Sequence, residues 1–93
     1  MTNTSLQGKN VVITGASKGI GKAVAAAFAA EGANLFLCSR NEVQLYNTVA
    51  ELQTKFSNTH IKAKPFDLSV KEQAIAFGNW VNETAGTTYI LVN

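Results

Sequence analysis

Four short strand-like runs, separated by stretches with helical periodicity, constrain the fold of this 93-residue chain more than any other feature. The first two runs are continuous and apolar, as in strands buried on both faces of a sheet. Regular alternation of strands and helices predicts a parallel sheet with right-handed crossovers and helices on both faces. The sequence therefore predicts one α/β unit in the order β-α-β-α-β-α-β, with strands at Asn10–Thr14, Asn34–Ser39, His60–Leu68 and Tyr89–Val92.

The three intervening stretches carry the start and stop signals of helices. Gly32 follows the first stretch as a helix stop, and Asn41 precedes the second as an N-cap. In the third, the S-x-x-E pattern of residues 69–72 predicts a capping box. Helical spacing predicts buried faces at Ile20, Ala23, Val24, Ala27 and Phe28, then at Leu45, Val49, Leu52 and Phe56, and finally at Val70, Ala74, Phe77 and Val81.

Composition excludes several classes of protein. A net charge of +2 is too small to favour nucleic acid or a membrane surface as a partner. No apolar stretch reaches the roughly 18 residues of a membrane span. Residues 1–8 are predicted to be a loosely tethered lead-in, without the apolar core of a secretory signal. Since the single cysteine, Cys38, cannot form an internal disulfide, we expect a cytoplasmic protein.

The stretch TGASKGIG, residues 14–21, places three glycines between the first strand and the first helix. A helix N-terminus offers unpaired N–H groups and a partial positive charge, which suit a phosphate. Glycines let such a turn close sharply, let the backbone approach a pyrophosphate and let the helix pack on the strand. The alternative is a tight turn without a ligand, for which one glycine would suffice. The three glycines therefore favour a nucleotide site.

The spacing of these glycines excludes two other phosphate motifs. A loop of the G-x-x-x-x-G-K-[ST] type needs glycine five residues after Gly15, where this chain has Ile20. The G-x-G-x-x-G pattern fits only in part, because Val24 stands where its third glycine is required. The pattern that remains is T-G-x-x-x-G-x-G.

That pattern resembles the cofactor motif of the short-chain dehydrogenase/reductases. The stretches CSRN after the second strand, DL at residues 67–68 and ILVN in the fourth strand stand where that family places them, so the resemblance spans the chain. It looks closest to the 3-oxoacyl-[acyl-carrier-protein] reductase and tropinone reductase-like branch. The resemblance implies a Rossmann-type doubly wound parallel sheet with strand order 3-2-1-4. Residues 1–93 would be the N-terminal cofactor-binding part of that single domain, with the rest of the domain absent.

The end of the second strand indicates which nucleotide is bound. Ser39 and Arg40 stand where NAD sites usually carry an acidic residue. A guanidinium pairs with a 2′-phosphate that a carboxylate would repel, and Lys18 adds a second positive charge. We therefore predict NADP(H) as the cofactor. The alternative is that Arg40 and Lys18 are ordinary solvated surface charges.

The resemblance implies further cofactor contacts. Asp67 would accept a hydrogen bond from the adenine amino group, assisted by the backbone of Leu68, unless it is merely a loop carboxylate. Ile20 would contact the pyrophosphate or ribose, unless it is a core residue of the first helical turn. Asn93 would start a loop over the adenosine ribose. His60 is the only histidine, so we predict no metal site. The predicted cofactor site comprises Gly15, Ser17, Lys18, Gly19, Ile20, Gly21, Ser39, Arg40, Asp67, Leu68 and Asn93.

The residues that the family uses for catalysis do not occur in this chain. The family carries a tyrosine with a lysine four residues later, but Ala50 follows Tyr46 at that distance and Asn93 follows Tyr89. We therefore expect no catalytic residue here and no activity from the chain alone. The resemblance implies a longer, homo-oligomeric NADP-dependent oxidoreductase that interconverts a carbonyl and an alcohol by hydride transfer, with its small-molecule substrate held by the absent C-terminal part. The alternative is a non-catalytic nucleotide-binding module, or a structural fragment that requires a partner.

Overall fold

A computed structural model describes residues 6–93 of the chain, so residues 1–5 of the predicted lead-in lie outside the described part. Residue Leu6 is not loosely tethered. It packs against the hydrophobic core, and its N–H donates to the carbonyl of Glu31 at an N···O distance of 3.2 Å.

Four strands and three helices alternate along the described chain. The strands are β1 (Asn10–Thr14), β2 (Asn34–Ser39), β3 (Ile61–Pro65) and β4 (Ile90–Val92), and the helices are α1 (Gly19–Ala30), α2 (Glu42–Lys55) and α3 (Lys71–Thr84). All pairings are parallel, and the strands lie in the order β3-β2-β1-β4. The predicted α/β architecture and the strand order 3-2-1-4 are confirmed.

Helices cover both faces of the sheet because successive residues of a strand point to opposite faces. On one face, Val11 and Ile13 of β1 pack in a core with buried residues of α1 and α2. On the other face, Val12 packs in a second core with Phe36 of β2 and Val81 of α3. The three β1 residues are fully buried, as the continuous apolar run predicted.

The outer strands are shorter than the sequence predicted. β1 and β2 have the predicted bounds, whereas β3 ends at Pro65 and β4 begins at Ile90. Pro65 lies on an edge strand, which tolerates a residue without an N–H donor. Beyond it, the N–H of Phe66 still donates to the carbonyl of Ser39 at 3.1 Å.

The buried face predicted for α1 is wrong in part. Val24 and Phe28 pack against the core as predicted, but Ala23 and Ala27 are exposed and Ile20 is 83% exposed. The buried residues of α1 are instead Ala25 and Ala29. Nearly every position of α1 is apolar, so hydrophobic periodicity could not select the face that meets the sheet.

The capping box predicted for α3 is also wrong. Val70, predicted to lie on the buried face of this helix, is instead its N-cap, is exposed and makes no side-chain cap hydrogen bond. Ser69 lies one residue earlier and donates its hydroxyl to Asp67 Oδ1 at 2.6 Å, so this hydroxyl is used in the preceding turn. The N-cap predicted for α2 is confirmed, since Asn41 Oδ1 accepts from the N–H of Gln44 at 2.9 Å.

Candidate nucleotide-binding cleft

An open cleft of about 630 Å³ lies where the strands end. Because all strands are parallel, their carboxyl ends share one edge of the sheet, which is where open α/β sheets bind ligands. The lining includes seven of the predicted site residues: Gly15, Ser17, Lys18, Ser39, Arg40, Asp67 and Leu68. Gly19, Ile20, Gly21 and Asn93 are not part of the lining, whereas Thr14, Cys38, Asn41, Gln44 and Phe66 line it without having been predicted.

The three glycines of the turn differ in what surrounds them. Gly15 and Gly19 have φ angles of +63° and +60°, a region that side chains other than glycine rarely adopt. No atom lies within 4 Å of the position that a Cβ would take at either residue. At Gly21, by contrast, a Cβ would overlap the carbonyl oxygen of Gly15. The first two glycines therefore leave open space beside the turn, and the third lets α1 pack against it.

The N-terminus of α1 carries no side-chain cap. Lys18 is the N-cap, has extended backbone angles and makes no side-chain cap hydrogen bond. The first turn carries no acidic residue that would occupy the N–H groups. Those groups and the helix dipole favour negative charge.

Three charged residues line the cleft. Lys18 and Arg40 are exposed and line it, one from the glycine turn and the other from the end of β2. Asp67 also lines the cleft, and its Oδ1 accepts from the hydroxyl and the N–H of Ser69, at 2.6 and 3.0 Å. These hydrogen bonds, helped by attraction to Arg40, hold the pKa of the Asp67 carboxyl below its usual value. Asp67 is therefore ionised at neutral pH.

Three hydrogen bonds fix the glycine turn to its neighbours. The N–H of Ala16 donates to the carbonyl of Cys38 at 3.1 Å. Ser39 Oγ donates to Ser17 Oγ at 2.7 Å. Thr48 Oγ1, from α2, donates to the carbonyl of Ser17 at 3.0 Å. The turn is thus attached both to the end of β2 and to the helix that follows it.

Cys38 contributes apolar surface to the cleft rather than a nucleophile. The residue is 1% exposed, and burial raises the pKa of its thiol to about 11, although a backbone hydrogen bond at Phe66 opposes this shift. The thiol is therefore neutral at physiological pH and lacks thiolate reactivity. Cys38 is thus a small buried hydrophobic residue.

Two of the predicted residues that do not line the cleft lie beside the glycine turn. Ile20, with 83% of its surface exposed, is not a core residue of the first helical turn. Asn93 follows β4, and its Oδ1 accepts from Thr14 Oγ1 at 3.3 Å, next to Gly15. Thr14 also contacts the carbonyl of Val92 at 3.5 Å.

Neither a metal cluster nor a membrane helix occurs in the described part of the chain. Within residues 6–93, no group of three His, Cys, Asp or Glu side chains is placed to hold a metal ion. No helix there combines the length and hydrophobicity needed to cross a bilayer.

Comparisons with known proteins agree with this architecture. The sequence profile of the short chain dehydrogenase family matches residues 9–93. Short chain dehydrogenase/reductase dpchG of Colletotrichum higginsianum is 36% identical over 91 residues, which cover 98% of this chain and 33% of that protein.

Solved structures of similar proteins share this fold. L-sorbose reductase from Gluconobacter frateurii, in complex with NADPH and L-sorbose, matches with a TM-score of 0.88 and 35% identity, over 98% of this chain and 34% of its own. A short chain dehydrogenase/reductase from Burkholderia phymatum, in complex with NAD, has a TM-score of 0.81 and 31% identity, over 92% of this chain and 30% of its own. The chain spans about a third of the length of these relatives.

Proposed function

Because the chain belongs to the short chain dehydrogenase family, we propose that it is the N-terminal cofactor-binding part of a single Rossmann-fold domain in an NADP(H)-dependent oxidoreductase. The proposed reaction interconverts a carbonyl and an alcohol by hydride transfer. The observation that carries this proposal is the glycine turn at the uncapped N-terminus of α1, which opens into a cleft lined by two cations.

The open space beside the glycine turn supports a pyrophosphate at that place. Gly15 and Gly19 leave room for phosphate oxygens to approach the backbone, and the first N–H groups of α1 would donate to them. Ile20, exposed in the first turn, would cover the apolar part of the ribose or the nicotinamide side of the pyrophosphate. Gly21 would act indirectly, by letting α1 lie close to the turn.

The preference for NADP(H) rests on Arg40 and Lys18. Both line the cleft, and Arg40 directly follows the last residue of β2, where a carboxylate would select NAD. Its guanidinium would pair with the 2′-phosphate, a group that only the phosphorylated dinucleotide carries. The comparisons leave this choice open, because the sorbose reductase complex holds NADPH and the Burkholderia complex holds NAD.

The remaining proposed contacts lie around the adenosine. Asp67 keeps acceptor capacity beyond its hydrogen bonds to Ser69, because a carboxylate has two oxygens. It would accept from the adenine amino group, beside the backbone of Leu68. When bound, the nicotinamide supplies or accepts the hydride, and the residues of this chain bind and orient the dinucleotide. Asn93, next to Thr14, would brace the glycine turn from the β4 side.

Titration of the full-length protein with NADPH and NADH tests the proposal. We expect NADPH to bind at least about tenfold more tightly, and Arg40→Leu to abolish this difference. Lys62→Leu is the matched control, because Lys62 is an exposed cation on β3 that does not line the cleft. Equal affinities of the wild type would contradict the NADP preference, and no binding of either dinucleotide would contradict the proposed function.

The proposed catalytic residues lie outside this chain. Tyr46 and Tyr89 are 45% and 39% exposed, and neither lines the cleft. We therefore expect the isolated 93-residue chain to show no NADPH oxidation with any carbonyl substrate, whereas the full-length protein turns over. A full-length protein that binds the dinucleotide but transfers no hydride would support the alternative of a non-catalytic nucleotide-binding module. The cytoplasmic location, the homo-oligomeric state and the resemblance to one branch of the family stay predictions.

A further inference from the structure

Thr48 is a polar residue on the buried face of α2, where its buried neighbours are leucines. It belongs to the buried face of α2 with Leu45 and Leu52, and it is 1% exposed. A buried hydroxyl is costly unless it has a hydrogen-bond partner. Threonine in a helix commonly bonds to the carbonyl four residues earlier, as Thr54 does with Ala50 at 2.9 Å. Thr48 instead donates out of its helix, to the carbonyl of Ser17 at 3.0 Å.

The acceptor of this hydrogen bond belongs to the glycine turn, residues 14–21. Ser17 lies between Gly15 and Gly19, two residues with positive φ and wide conformational freedom. The other fixed points of the segment, at Ala16 and the Ser17 hydroxyl, both attach it to the end of β2. The hydrogen bond from Thr48 instead attaches the peptide between Ser17 and Lys18 to α2.

Because a peptide unit is planar, the hydrogen bond of Thr48 to the Ser17 carbonyl also affects the N–H of Lys18. Because the Ser17 carbonyl points towards α2, the N–H of Lys18 in the same trans peptide points in the opposite direction. Lys18 is the N-cap of α1 and lines the cleft. Thr48 therefore sets both the orientation of this peptide and the position from which the Lys18 side chain extends.

We propose that Thr48 is a positioning residue for dinucleotide binding, which acts through its hydrogen bond to the Ser17 carbonyl without touching the ligand. This inference rests on the proposed function. It assigns a role in the cofactor site to a residue of α2 that lies outside the lining of the cleft.

The test compares the full-length wild type with Thr48→Val, Thr48→Ser and Thr54→Val. We expect Thr48→Val to raise the dissociation constant and the KM of NADPH about tenfold, with kcat unchanged. Thr48→Ser keeps the hydroxyl and should stay within about twofold of the wild type. Thr54→Val removes a hydroxyl from the same helix whose bond stays within α2, and it should leave the affinity unchanged. Measurement far below the melting temperatures separates positioning from a general loss of stability.

The outcomes distinguish this inference from the proposed function. If the wild type binds NADPH and Thr48→Val binds it equally well, the inference is overturned while the proposed function stands. If the wild type binds neither NADPH nor NADH, the proposed function fails, and the inference fails with it. Should Thr48→Val not fold, Thr48→Ala takes its place, and equal affinities of the Ala and Ser variants would overturn the inference.

Discussion

At the scale of single residues, Gly21 shows how closely α1 approaches the turn before it. A Cβ at this position would lie 2.8 Å from the carbonyl carbon of Gly15 and would overlap its oxygen. We predict that Gly21→Ala lowers the free energy of unfolding by about 1–3 kcal/mol, because the backbone has to shift. Urea denaturation measures this change.

Gly78 provides the matched control for that substitution. It lies inside α3, and no atom lies within 4 Å of the place where its Cβ would be. Gly78→Ala should therefore raise the free energy of unfolding by about 0.5–1 kcal/mol, through helix propensity alone. A Gly21→Ala variant as stable as the wild type would contradict the packing role of Gly21.

Asp67 allows a prediction on pH dependence. Its folded pKa is lowered first by the Ser69 hydroxyl, so Ser69→Ala should raise that pKa towards the ordinary value. The lowered pKa contributes stability that is present above the unfolded pKa and lost as the pH falls through the folded pKa. Carboxyl chemical shifts followed by NMR over acidic pH would measure the change. Ser57→Ala is the control, because Ser57 lies in an exposed turn, and it should leave the pKa of Asp67 unchanged. An unchanged pKa of Asp67 in Ser69→Ala would contradict the claim that the Ser69 hydroxyl lowers it.

The sequence could predict some site residues but not others, for a physical reason. Gly15 could be predicted because glycine in a strand-to-helix turn lets a ligand approach the backbone, and it does line the cleft. Gln44 and Phe66 line the cleft because of where α2 starts and where β3 ends, and neither residue type signals a ligand. Thr48 could have been noticed as a polar residue within an apolar stripe, but its acceptor 31 positions away is visible only in the fold.

At the scale of the elements, the N-termini of α2 and α3 differ in a way that can be measured. Asn41 caps α2 through its side chain, whereas Val70 at the equivalent position of α3 makes no such bond. We predict that Asn41→Ala lowers the free energy of unfolding by about 1 kcal/mol, and that Val70→Ser raises it by about 0.5–1 kcal/mol. Chemical denaturation measures both. A destabilised Val70→Ser would indicate that Val70 contributes more through packing than a cap would add.

The elements also show where local sequence signals are sufficient. The bounds of β1 and β2 follow from continuous apolar runs that end at polar residues. The signals failed where two local structures can use the same group. The Ser69 hydroxyl could have capped α3, but it donates to Asp67 in the preceding turn instead. They also failed in α1, where alanine occupies both the buried and the exposed faces.

At the scale of the whole molecule, the two edges of the sheet differ. The β3 edge carries the exposed Lys62 and Lys64 and ends at Pro65, features that discourage pairing with another strand. The β4 edge presents Ile90 and Leu91, which are 41% and 49% exposed. An apolar edge strand of this kind favours association.

We therefore predict that the isolated 93-residue chain self-associates through β4. Sedimentation equilibrium should show oligomers, and Leu91→Lys should shift them towards the monomer because it places a charge on the edge. Ala50→Lys introduces the same charge on the exposed face of α2 and is the control. A monomeric wild-type chain, or equal effects of the two substitutions, would contradict this prediction.

The central claim is that the glycine turn and the N-terminus of α1 hold the pyrophosphate of NADP(H), with its 2′-phosphate between Arg40 and Lys18. A crystal structure of the full-length protein with NADPH tests it most directly. The account predicts pyrophosphate oxygens within hydrogen-bond distance of the first N–H groups of α1, and the 2′-phosphate within the same distance of the Arg40 guanidinium. A dinucleotide bound away from the glycine turn would contradict the account.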